Sequence, residues 1–165
     1  MNIVELVVQA LRGTSLSEAT RHYPWVWPIA EMLHFAGLSM LLGVVGLLDL
    51  RLMGFLKRVP VAALRALLPY GIAGFLINVV TGAIFFIGAP DQYISNVAFY
   101  YKLLFLAIAG ANALFFETTQ GHRLVGIGAG DATPKAFRIA GAVSLVSWFM
   151  VLYWGRMLPF VGNAF

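Results

Sequence analysis

The chain has 165 residues, 61% of them hydrophobic and 11% charged, with a mean hydropathy of +0.85. That is too apolar for a water-soluble domain of this length and fits a single membrane domain over residues 1–165. The absence of cysteine excludes disulfides, thiolate metal sites and cysteine nucleophiles, and the net charge of +4 sits at the ends of apolar runs, which marks topology rather than a nucleic-acid partner.

Residues 1–27 read as an interfacial segment. Ile3–Arg12 is apolar but short, with neither a basic start nor a cleavage signature, so it is expected as a helix lying on the membrane surface. Ser15-Leu-Ser-Glu18 resembles a capping box and predicts a second short turn. His22-Tyr-Pro-Trp25-Val-Trp27-Pro28 sets aromatic rings at headgroup level, with His22 a solvated residue.

The first spanning helix is expected over about 29–50, with Pro28 at its first position. Its rise of roughly 33 Å matches a hydrocarbon layer of ~30 Å. At 100° per residue, Glu31, His34, Leu38, Leu41, Val45 and Asp49 share one face. Ionisable groups are costly against lipid, so that face turns into the protein. A basic stretch from Arg51 through Lys57, Arg58 and Arg65 follows. The second helix, about 68–87, is opened by Pro69 and carries Gly71, Gly74, Asn78, Thr81, Gly82 and Phe85 on one face, a pattern that permits close helix contact and interhelical hydrogen bonds. Gly88-Ala-Pro-Asp91 is a turn. The third helix, about 97–117, aligns Lys102, Phe105, Ala109, Ala113, Phe116 and Glu117, with Asn112 at the edge of that face. Gly121–Thr133 is a glycine-containing loop. Pro134 opens the fourth helix, about 135–158, which carries Arg138, Ser144, Ser147, Trp148, Tyr153, Trp154 and Arg156.

The expected fold is all-α, an integral membrane antiparallel four-helix bundle with a short N-terminal interfacial helix. Lys and Arg number seven around the first and third connections and three on the opposite side, leaving Lys102 aside. The positive-inside bias then puts both termini in the periplasm of a bacterial inner membrane.

His34 lies ~8 Å inside the outer end of its helix by the α-helical rise. Lys102, Thr81, Asn78 and Tyr153 fall at a similar depth on the other three helices, with Glu31 one turn outward of His34. An up-down bundle brings them to one polar site in the outer half of the membrane. Asp49, Arg51, Glu117, Arg123 and Arg138 form a second set at the inner boundary, expected as a salt-bridge and snorkelling layer. For His34 the readings are a hydrogen-bonded structural residue, an axial haem iron ligand, a proton donor to a quinone, or a transition-metal ligand. His122 in the inner loop and His22 near the surface are at other heights, which argues against bis-histidine haem within one chain. Sites needing several histidines or thiolates lack the ligands. Lys102 suits snorkelling, pairing with an anionic group such as a propionate or a lipid phosphate, or deprotonation when desolvated.

Ala30-Glu-Met-Leu-His34-Phe-Ala-Gly37-Leu together with Asp49-Leu-Arg51-Leu-Met-Gly54 resembles a family of small, largely uncharacterised bacterial four-helix membrane proteins. Gly74-Phe, Thr81-Gly82, Asn96-Val-Ala-Phe-Tyr-Tyr-Lys102 and Asn112 extend the resemblance over about 28–159. More distantly the chain is similar to HemJ-type protoporphyrinogen oxidases and CopD-type membrane domains. In the HemJ-type family a histidine precedes a Phe-Ala-Gly-Leu segment, as His34 stands before Phe35-Ala-Gly37-Leu; a lysine opens the third helix, as Lys102 does; and an arginine opens the fourth, as Arg138 does. The resemblance implies haem b, with His34 toward the iron.

Three functions follow as expectations. The first is a membrane haem or redox protein. The second is a cofactor-free membrane subunit that packs against itself or within a larger membrane complex through the small-residue faces of helices two and three. The third is a quinone- or lipid-binding or transport protein using the same polar residues. The absence of an internal repeat and of broken helices weighs against a secondary transporter.

Overall fold

The computed structural model describes residues 3–124 and 126–161. The His122 side chain, assigned to the inner loop above, lies outside the described residues. The chain forms α1 (Ile3–Arg12), α2 (Ser15–His22), α3 (Val26–Met53), α4 (Val61–Arg65), α5 (Leu68–Gly88), α6 (Pro90–Ile94), α7 (Val97–Leu124) and α8 (Lys135–Val161), with no strand among the described residues. The protein is all-α. Four stretches, Val26–Met53, Val61–Gly88, Val97–Gly121 and Lys135–Val161, are helical, long and apolar enough to cross a membrane.

Several boundaries differ from the sequence expectation for local reasons. α3 starts at Val26, so Pro28 sits within its first turn, where a missing N–H leaves no intrahelical bond unmade. It ends at Gly54, whose φ of 98° is open to glycine, with its N–H on the Arg51 carbonyl. α2 is capped by Thr14 rather than Ser15: the Thr14 hydroxyl accepts the Ser17 N–H at 3.3 Å. The expected turn at Gly88–Asp91 runs into the short α6, opened by Pro90. α7 continues past Glu117 to Leu124, because Arg65 on α4 reaches both the Gly121 carbonyl at 3.3 Å and the Glu117 carboxylate at 2.6 Å.

α3 is the central helix. It packs against α5 on one side and α8 on the other, and α8 packs against α7. The α3–α5 crossing depends on two glycines: a Cβ on Gly37 would lie 2.7 Å from the Gly74 carbonyl oxygen, and one on Gly74 only 2.5 Å from that of Gly37. The small-residue face of α5 is therefore occupied within the chain. At α3–α8, a Cβ on Gly141 would lie 2.8 Å from the Asp49 carbonyl. By contrast, α5 and α7 do not pack closely along their lengths. Phe86 stacks on Phe99 across them near the outer ends, centroids 5.6 Å apart. The outward surfaces are apolar: Phe35, Ile72, Val80, Leu114, Phe115, Ile139 and Phe149 are all exposed, as helix faces against lipid require.

The inner end is closed by a buried arginine. Arg51 is 0% exposed. Its Nε donates to Val59 O at 2.7 Å, Nη1 to Thr133 Oγ1 at 3.0 Å and Nη2 to Gly128 O at 2.9 Å. The expected snorkelling role is thus not the one Arg51 plays: it ties the loop after α3 to the loop before α8. Leu52, Val61, Leu124, Ile127 and Phe137 form the apolar cluster around it. Arg65 and Glu117 are ion-paired at this end, whereas Asp49 has no cation partner among the described residues. At the outer end, α2 lies over α5, with Thr20 against Gly88, and α1 meets α6 through the Arg12–Asp91 ion pair.

Candidate functional site in the outer half of the bundle

His34 projects from α3 toward α5. Its Nδ1 is 2.7 Å from Thr81 Oγ1, and that hydroxyl is also 2.7 Å from the Ile77 carbonyl. A threonine hydroxyl has one hydrogen: where it goes to Ile77 O, His34 Nδ1–H donates to Thr81 and Nε2 keeps a lone pair; where it goes to Nδ1, Nε2 carries the ring hydrogen. The ring packs against Phe85, centroids 5.5 Å apart, and its Cε1 lies 4.0 Å from where a Gly82 Cβ would stand. The Thr81 hydroxyl thus stands between a backbone carbonyl and the imidazole.

Asn78, one turn deeper on α5, donates its Nδ2–H to Gly74 O at 2.9 Å. Its Oδ1 is enclosed and has no hydrogen-bond partner. Lys102 comes from α7. Its side chain lies along Gly155 of α8, with Cδ and Cε each 3.8 Å from a notional Gly155 Cβ. The two ion pairs among the described residues are Arg12–Asp91 and Arg65–Glu117, so the half-buried Lys102 has no carboxylate beside it. Its charge acts on His34 across the site. Trp154, next to Gly155, stacks on Tyr101 with centroids 4.5 Å apart, and its Nε1–H is enclosed without an acceptor.

The structure therefore brings His34, Thr81 and Asn78 to the α3–α5 contact, while Lys102 on α7 lies against α8 within range for its charge to act on His34. Tyr153 stands apart: it is 49% exposed and meets Trp154 edge-on at 5.2 Å. Glu31 is exposed, and its charge falls on Tyr93 of α6. Burial first, and the Glu31 carboxylate second, push the Tyr93 hydroxyl up to about 12. Trp154 and Gly155 were not singled out as site residues in the sequence, although Trp154 and Tyr101 lie at the depth of Lys102. What concealed Trp154 is that an aromatic near a helix end reads first as a headgroup anchor.

Four polar groups here have capacity left over: Nε2 of His34, Oδ1 of Asn78, Nε1–H of Trp154 and the Lys102 ammonium. Among the described residues no three His, Cys, Asp or Glu side chains cluster as metal ligands. No family model, curated protein or solved structure matches the chain.

Proposed function

We propose that this protein is a small bacterial inner-membrane protein, both termini periplasmic, that binds haem b in the outer half of its bundle and serves membrane redox chemistry. The observation that carries the reading is the contact between His34 Nδ1 and Thr81 Oγ1 at 2.7 Å. With Thr81 accepting Nδ1–H, the ring would be fixed and Nε2 would be left to hold the haem iron. Lys102, lacking a carboxylate of its own, pairs with a haem propionate by a charge-assisted hydrogen bond. α5 and α7 do not pack closely along their lengths, and a flat ring would enter between them from the lipid side. When bound, the haem supplies reversible one-electron transfer. The similarity of the His34 and Lys102 segments to HemJ-type proteins supports the same assignment.

An absorption spectrum of the protein purified after expression with added haem tests it. The expected result is a Soret band that shifts on reduction and is lost in His34→Ala. A wild-type protein without a Soret band in either redox state overturns the proposal.

A second reading rests on Lys102 alone. A half-buried cation with no carboxylate beside it, lying along Gly155 of α8, also suits the headgroup of an anionic lipid or a quinone oxygen. Mass spectrometry of co-purified small molecules separates the two: retention of one lipid or quinone class by wild type and its loss in Lys102→Met, with no haem in either, favours this second ligand class.

A further inference from the structure

A different group in the molecule is left incomplete, and it lies far from His34. Asp49 sits about one turn from the inner end of α3 and is 4% exposed. Its Oδ2 is enclosed without any hydrogen-bond partner. Ser144 of α8, 7% exposed, is the hydroxyl that acts on its carboxyl across the seam. Ser147, 3% exposed, is the next hydroxyl outward on the same helix. Close packing of Gly141 against the Asp49 carbonyl holds the two helices together here.

The surrounding charges do not neutralise Asp49. Arg51 is two residues further on and so points about 200° away around the helix, with its donors on Val59, Thr133 and Gly128. Arg138 of α8 donates to Thr133 O at 3.0 Å. Arg65 of α4 is paired with Glu117. From α5, the nearest titratable side chain is Tyr70, which is 61% exposed. A carboxylate enclosed in an apolar layer with no cation at hand is strongly unfavourable. A sodium ion would need five or six oxygen ligands, and the visible donors are one carboxyl and its neighbouring serine. A proton needs only the free oxygen.

We propose that Asp49 is a proton-binding site on the α3–α8 seam. Its enclosed Oδ2 takes up a proton from the inner boundary and returns it there, and Ser144 is the hydroxyl that meets the carboxyl. The ligand is the proton, and the site stands whether or not the outer site holds haem.

The test uses the full chain in lipid vesicles treated with dicyclohexylcarbodiimide, an apolar reagent for protonated carboxyls. The acid proton moves to a carbodiimide nitrogen, the carboxyl oxygen bonds to the central carbon, and the adduct rearranges to a stable N-acylurea that peptide mass spectrometry locates. The expected result is an adduct on Asp49 in preference to the exposed carboxylates, with a yield falling about tenfold per pH unit above its midpoint, the slope of a one-proton equilibrium. Asp49→Asn removes it, together with the infrared carbonyl band of the protonated acid. The wild-type adduct and its pH profile decide the matter even if that variant folds poorly. No adduct on Asp49 at any pH, or one independent of pH, overturns the proposal. Protection by sodium at constant pH also overturns it, by making the ligand a metal cation.

Discussion

Arg51 at the inner end and the His34–Lys102 pair in the outer half are polar groups enclosed by apolar helices, and the chain treats them differently. Around Arg51 the protein supplies its own acceptors: two loop carbonyls and the Thr133 hydroxyl meet the guanidinium at 2.7–3.0 Å. Around His34 one ring nitrogen is satisfied by Thr81, while Lys102 has no carboxylate, and Asn78 Oδ1 and Trp154 Nε1 have no partner. A buried polar group that is fully bonded rigidifies a fold, whereas leftover bonding capacity is a cost that a ligand can remove. The guanidinium of Arg51 is therefore satisfied within the fold, whereas the outer half keeps bonding capacity that a ligand could take up.

The largest expected effect tests the inner end. Arg51→Met removes the donor from four acceptors, Val59 O, Gly128 O, Asp131 O and Thr133 Oγ1, and should cost about 3 kcal/mol or more, since each buried acceptor left unpaired costs about 1–3 kcal/mol. Thermal unfolding in detergent reads it. Arg51→Lys should recover only part, because an ammonium cannot span acceptors contributed by both loops. Wild-type stability in Arg51→Met would remove the architectural half of the comparison.

Next comes the crossing that positions the outer site. Gly74→Ala would put a methyl 2.5 Å from the Gly37 carbonyl and 2.9 Å from the Leu41 nitrogen, both backbone atoms that cannot swing aside. The helices must part, at about 1–3 kcal/mol. Gly43 on the same α3 has nothing within 4 Å of its notional Cβ. Gly43→Ala should thus be neutral or stabilising by up to about 1 kcal/mol, through helix propensity. Equal losses in both variants would mean that the α3–α5 contact does not decide stability.

The outer residues should separate stability from binding. Lys102→Met removes a cation that has no carboxylate to lose, so the unfolding temperature should hold or rise, whereas Arg51→Met lowers it. Thr81→Val removes the hydrogen-bond partner of His34 Nδ1. It should cost about 1 kcal/mol of stability and, on the haem reading, about 10–100-fold in haem affinity. Haem titration of apoprotein alongside thermal unfolding checks both. A large stability loss in Lys102→Met would make that residue another structural clamp.

The contrast between the two ends was only partly legible in the sequence. The all-α four-helix fold followed from apolar run length alone, because a bilayer leaves few other ways to satisfy a backbone. The His34–Thr81 contact was approachable too, since helix depth follows from a fixed rise per residue. Arg51 shows the limit. An arginine just past an apolar run reads as snorkelling, and only the tertiary return of loops near Val59 and Gly128 makes it a buried hub. Tyr153 shows the same limit in reverse: depth placed it level with His34, but depth says nothing about which way a side chain faces, and here it faces outward. The capping of α2 by Thr14 and the extension of α7 to Leu124 likewise depend on single hydrogen bonds that a pattern search cannot rank.

The smallest expected effect lies at the outer rim, where α6 joins the cap formed by α1 and α2. Tyr93 packs against Phe86 and Phe99, with centroids 6.1 and 5.4 Å away. Burial, then the charge of Glu31, raise its hydroxyl from 10.0 to about 12. The folded state thus holds the phenol proton more tightly than the unfolded chain. The resulting stabilisation is fully present below pH 10.0 and is lost as pH rises through about 12. Tyr93→Phe has no proton to lose and keeps its packing. The difference in unfolding temperature between wild type and Tyr93→Phe should therefore shift against the wild type across that interval, while the other tyrosines, common to both proteins, cancel. Glu31→Gln removes the smaller of the two causes and should narrow the shift without abolishing it. Parallel curves for wild type and Tyr93→Phe would mean that the ring is solvated in the folded protein, and that Glu31 has no partner at this rim.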